Sequence, residues 1–118
     1  MKKINVLMID DNLQLVDMVK EYFSSHAVIE VMSVGSGQEG LELIKNNVNI
    51  DLIILDLIMP GMDGIKLIEE VQEQNIKARI IVLTSYNSPE VIRKVSGLGI
   101  KYFRERLSNC IWTLSKLI

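Results

Sequence analysis

The sequence predicts an α/β fold built on a parallel sheet. Short apolar runs alternate five times with segments of helical periodicity. The runs are close to continuous rather than alternating in polarity, as strands covered on both faces read. Several of them end in a carboxylate or a hydroxyl followed by a turn, and that edge of a parallel α/β sheet is where ligands bind.

The elements follow in order. Residues 4–9 are apolar apart from Asn5, a strand buried on both faces, closed by Asp10-Asp11-Asn12. Leu15, Met18, Val19, Tyr22 and Phe23 recur at helical spacing and predict an amphipathic helix over 13–24. Residues 28–34 alternate more and contain Glu30, which suits a strand nearer an edge. Gly35-Ser36-Gly37 reads as a turn, and Leu41, Ile44 and Val48 mark a second, weaker helix. Residues 51–56 form the central strand and end in Asp56; Pro60, Gly61 and Gly64 then break the pattern. Ile65, Ile68, Val71 and Gln72 give a third helix, and the β-branched run 79–83 a fourth strand. Ser88-Pro89-Glu90 carries helix-start chemistry, an N-cap hydroxyl, a proline and an acid, ahead of the stripe Val91, Ile92, Val95 and Leu98. Residues 100–103 are a short fifth strand, and Leu107, Ile111, Leu114 and Ile118 repeat like a last helix face.

Composition narrows the function classes. The 118 residues suit one domain with its own core, and 48% hydrophobic content fits a packed α/β interior rather than disorder. A net charge of −2 implies no general affinity for nucleic acid. The apolar runs fall far short of a membrane span, and the start lacks the features of a signal peptide. One cysteine, Cys110, allows no internal disulfide, and the expected location is cytoplasmic. There is no Walker loop, no GxGxxG, no HExxH and no nucleophile elbow. His26 reads as a surface residue, and Cys110 and Trp112 as packing residues of the last helix. That helix ends on Leu117-Ile118 without a cap, as a trimmed end would.

LDLIMPGMDG around Asp56 resembles the phosphoacceptor motif of two-component response-regulator receiver domains. Asp10-Asp11 matches the family's acidic pair after strand one, and Thr84 in IIVLTS its hydroxyl after strand four. The resemblance covers the whole chain, 1–118, as a single receiver domain. Within the family, KINVLMIDDN and LGIKYF are most similar to the sporulation-initiation regulators. The resemblance implies a five-stranded parallel sheet of order 2-1-3-4-5, a flavodoxin-like (CheY-like) α/β/α sandwich; the apolar pattern alone leaves that order open.

It also implies a chemistry. Asp10, Asp11 and Asp56 would share one pocket, where their charges repel and a hard divalent cation relieves them. By resemblance Asp11 and Asp56 ligate Mg²⁺, Asp10 helps through water, and the Ile58 carbonyl adds a donor. Asp56 is then the nucleophile toward phosphorus, and Thr84 contacts the phosphoryl group. Ile58 and Tyr86 occupy positions that influence the hydrolytic water in the family, and slow self-dephosphorylation is expected. One departure stands out. The family's Lys-Pro after the aromatic of strand five is replaced: Phe103 falls on the aromatic, Arg106 on the lysine and Leu107 on the proline. Arginine keeps the charge and grips oxyanions bidentately, but it is longer and planar.

Three functions follow. A phosphorylation switch would take its phosphoryl group from a sensor histidine kinase or a phosphotransfer protein. With Thr84 and Phe103 as its moving parts, it would signal to an output domain or protein through residues 88–118; a homodimer is left open. A phosphorylation-independent interaction module, or pseudo-receiver, is the alternative motivated by Arg106-Leu107. An aspartyl-phosphate hydrolase of the dehalogenase type ranks last, because Ile58 stands where that class has its second aspartate. The chain is therefore expected to be no enzyme beyond its own phosphorylation and dephosphorylation.

Overall fold

A computed structural model describes residues 3–46, 49–57, 63–74, 78–84 and 88–104, with only the backbone described at Thr84 and over Lys101–Arg104. The elements run β1 (Ile4–Ile9), α1 (Leu13–Ser24), β2 (Ile29–Val34), α2 (Gly37–Asn46), β3 (Leu52–Leu55), α3 (Gly64–Glu73), β4 (Arg79–Thr84), α4 (Pro89–Gly97) and β5 (Lys101–Arg104). All strand pairings are parallel. The sheet order is β2-β1-β3-β4, with β5 alongside β4 at the far edge.

The apolar runs become the innermost strands because both their faces are covered. Val6, Leu7, Met8 and Ile9 are fully buried, as is the whole of Leu52–Leu55. Alternate side chains divide between two cores. Leu7, Ile9, Ile53, Leu55 and Val82 meet Ile44 of α2, Leu67, Ile68 and Val71 of α3, and Val95 of α4. Val6, Met8, Leu52, Ile54, Ile81 and Leu83 face the other way, onto Leu15, Val16, Val19 and Phe23 of α1. Burying each such side chain is worth roughly 1.5–3 kcal/mol, so the middle of the sheet is the best-anchored part of the molecule. β2 takes the edge position that its alternation suggested, with Glu30 exposed.

Helix ends are set by local chemistry. Asn12 caps α1 by accepting the Leu15 N–H at 3.2 Å, and Asp63 caps α3 by accepting from Ile65 and Lys66. Ser36 and Glu39 form a capping pair: the Glu39 N–H donates to Ser36 Oγ, and that hydroxyl donates to Glu39 Oε1, both at 3.2 Å. This corrects the expected turn at 35–37, because Gly37 already belongs to α2. Ser88 precedes α4 without making a side-chain cap bond, and Pro89 supplies the start instead. The stripe of α1 also differs from expectation: Val16 is buried, whereas Met18 is 45% exposed. The buried positions of α1, Leu15, Val16, Val19 and Phe23, run along i, i+1, i+4 and i+8, and Met18 lies to one side of that track. His26 is exposed as expected, its ring 5.7 Å from that of Tyr22. Ile58, Tyr86, Arg106, Leu107, Cys110, Trp112 and the last helix lie outside the described residues. Among the described residues, no helix is long and apolar enough to cross a membrane.

α4 closes on a glycine. Gly99 has φ +78°, its N–H donates to the Ser96 carbonyl at 3.0 Å, and the Ile100 N–H reaches back to Val95 O at 3.2 Å. This pair of bonds turns the chain from α4 directly into β5. A Cβ at residue 99 would meet nothing within 4 Å, so only the left-handed backbone disfavours a side chain there. Gly99→Ala should therefore cost about 1–2 kcal/mol in urea unfolding, and Gly99→Asn distinctly less.

Candidate functional site

The register of the sheet assembles the site. Ile9 lies opposite Leu55 in the β1–β3 pair, so one further residue along each strand sets Asp10 beside Asp56. The Asp56 N–H donates to the Ile9 carbonyl at 3.0 Å and locks that step. On the other side of β1, the Asp10 N–H donates to Val34 O at 3.1 Å. Asp10 is thus held between its two neighbouring strands before its side chain does anything.

Ligand oxygens from Asp10, Asp11 and Asp56 all lie within 4.8 Å of one another. Their burial is graded: Asp10 is 3% exposed, Asp56 half-buried and Asp11 exposed. Asp10 Oδ1 accepts the Asn12 N–H at 2.8 Å, a charge-assisted bond that lowers the cost of keeping a carboxylate out of water. An acid pair after a strand can equally serve as a helix cap. Here that duty falls to Asn12, and both aspartates turn to the pocket. The sequence reading did not single out Asn12; its signal was an Asn three residues before the first buried helical leucine.

The donor set is oxygen only and carries up to three negative charges, which suits a hard cation such as Mg²⁺ and disfavours a soft one. Thr84 ends β4, with its backbone opposite Arg104 of β5, and Leu83 opposite Phe103. The β3–β4 register pairs Leu55 with Val82, which brings the end of β4 to the same edge of the sheet as Asp56. The structure therefore gathers Asp10, Asp11 and Asp56, and it places the backbones of Thr84 and Phe103 at the corresponding ends of the adjacent strands. Ile58 and Arg106, the remaining expected site residues, lie outside the described residues.

A doubly wound parallel sheet with an aspartate pocket at the carboxyl ends of its strands defines a flavodoxin-like α/β domain with a carboxylate site. Residues 6–105 match the response regulator receiver domain family, and the chain belongs to it. Solved structures agree. The receiver domain of a Francisella response regulator is 29% identical, with TM-score 0.82 over 98% of this chain and 96% of that one. The chemotaxis protein CheY4 of Vibrio cholerae is 26% identical, with TM-score 0.82 over 98% and 99% of the two chains. A CheY-like receiver domain protein of Methanospirillum hungatei, 22% identical, shares the fold with TM-score 0.85 over 98% of this chain and 93% of that one.

Mutual repulsion in the pocket predicts that a divalent cation bound there would be stabilising. At Mg²⁺ a hundredfold above its dissociation constant, the gain is about 2.7 kcal/mol, read as a rise in melting temperature that chelation reverses. Asp11→Asn should lose most of that gain, yet melt higher than the parent in chelator, because one of the repelling charges is gone.

Proposed function

We propose that this chain is a phosphoacceptor receiver of a two-component or phosphorelay system, modified on Asp56. The observation that carries the reading is the pocket of Asp10, Asp11 and Asp56 at the ends of β1 and β3. The phosphohistidine of a sensor kinase or of a phosphotransfer protein is the donor. An Asp56 oxygen forms the new O–P bond as the donor N–P bond breaks, and the departing imidazole takes up a proton. Asp10, Asp11 and Asp56, with the Ile58 carbonyl, would hold Mg²⁺. When bound, the ion offsets charge on the carboxylates and on the transferred oxygens. Asp10 acts from a buried position, oriented by the Asn12 N–H. Thr84 offers its hydroxyl to the phosphoryl group, and Arg106 stands in for the family's lysine.

The phosphoryl group draws Thr84 inward, Phe103 repacks, and the face formed by residues 88–118 changes its affinity for an output domain or protein. About 1–3 kcal/mol of coupling is enough for such a switch. The domain spans 1–118, works in the cytoplasm, and touches neither nucleic acid nor membrane itself. The KINVLMIDDN and LGIKYF segments support assignment to the sporulation-initiation regulators. Arg106-Leu107 favours one competing reading, an interaction module that binds partners through the same face and ignores phosphodonors.

Intact mass after incubation with Mg²⁺ and a small-molecule phosphodonor separates the two. The expected result is one added phosphoryl group, absent in Asp56→Asn and absent without Mg²⁺. No added mass on a folded protein would establish the phosphorylation-independent module instead. The phosphorylated form should lose its group slowly, since Ile58 cannot orient water, and Ile58→Asn should shorten its lifetime. Loss that is already fast and unchanged by Ile58→Asn would contradict this.

A further inference from the structure

Gly40 lies in the middle of α2 and is buried. A Cβ on it would fall 2.5 Å from Ile9 Cδ1, 2.9 Å from Ile9 Cγ1 and 3.5 Å from Val34 Cγ2. α2 has closed on the sheet to a distance that a side chain at residue 40 would not allow. The two residues it touches are the ones whose carbonyls hold the pocket: Ile9 O accepts the Asp56 N–H, and Val34 O accepts the Asp10 N–H. Ile9 is 0% exposed, so its side chain has no solvent to swing into. It is also bonded directly to Asp10. A group that displaces Ile9 moves the strand end that carries one acid and the carbonyl that fixes another.

We infer that Gly40 is a positioning residue for the divalent-cation pocket, acting through Ile9 and Val34. The inference rests on the phosphoacceptor reading, in which the pocket holds Mg²⁺. A glycine in mid-helix is otherwise a weakness, since alanine favours the helix. In Gly40→Ala that helical gain offsets part of the packing strain, whereas nothing compensates a shift of Asp10 against Asp56. Stability and cation affinity therefore separate. Residues outside the ligand set that orient the ligands commonly change metal affinity about 10- to 100-fold when altered.

Calorimetric titration of Mg²⁺ into the full chain tests this. Gly40→Ala should bind about ten-fold more weakly while melting within about 5 °C of the parent. Ile9→Val removes the Cδ1 that would be struck, so it should restore most of the affinity in the Gly40→Ala background. Ile9→Leu approaches the same contact from the strand at nearly constant volume, and it should weaken binding on its own. Val19→Ala, in the core on the opposite face of the sheet, should lose stability and keep its affinity. Unchanged affinity in both Gly40→Ala and Ile9→Leu would overturn the inference, as would an equal loss of affinity in Val19→Ala. A parent chain that takes up no Mg²⁺ would remove the phosphoacceptor reading itself, an outcome distinct from either of these.

Discussion

Three carboxylates whose oxygens approach within 4.8 Å repel one another, and the molecule is built to hold them there. The holding force is the parallel register of β1 against β3, one residue past the Ile9–Leu55 pair. Backbone bonds fasten that step on both sides of β1, from Asp56 N–H to Ile9 and from Asp10 N–H to Val34. Two separate cores then clamp the strands from above and below. For the backbones of Asp10 and Asp56 to move apart, fully buried strands would have to slide, at a cost in apolar burial. Within that frame the repulsion is relieved by taking up a proton or a cation.

The burial gradient across the three acids follows from the same geometry. Asp10 sits deepest because β1 is paired on both edges and covered on both faces. Its charge is tolerable there because the turn after β1 folds back and points the Asn12 N–H at it. Asp11, one residue later, has left the sheet and is exposed. Asn12 then caps α1. Consecutive residues thus become a buried acid of the pocket, an exposed acid of the pocket and a helix cap, and the division depends on where the strand stops.

Much of this was legible in the residues. The continuous runs 4–9 and 51–56 announced strands covered on both faces, and five alternations announced a parallel sheet. The strand order was not legible, because an apolar run carries no information about its neighbour; it came only through resemblance to a family. The proximity of Asp10 to Asp56 inherits that dependence, since 46 residues separate them and only the β1–β3 pairing joins them. Smaller misses have local causes. Met18 satisfied a periodic pattern but lies off the track along which a straight helix meets a twisted sheet. Ser88 had cap chemistry without the backbone geometry to use it. Gly40 was silent because a helical glycine reads as a cost until the residue it lets in, Ile9, is known.

The same architecture says where a signal can leave the pocket. β1 and β3 are paired on both sides and clamped by both cores, so charge added at Asp56 cannot be relieved by moving them. β5 pairs only with β4 among the described residues, and it hangs from α4 by the left-handed turn at Gly99. Among the described residues, Gln72 Nε2 of α3 donates to the Leu98 carbonyl at 2.9 Å and ties that corner back to the body. The end of β4, with Thr84, therefore lies between the central strands and the edge strand β5. The proposed switch would pass a change of charge at the pocket to the β4–α4–β5 side of the sheet, through Thr84 at the end of β4.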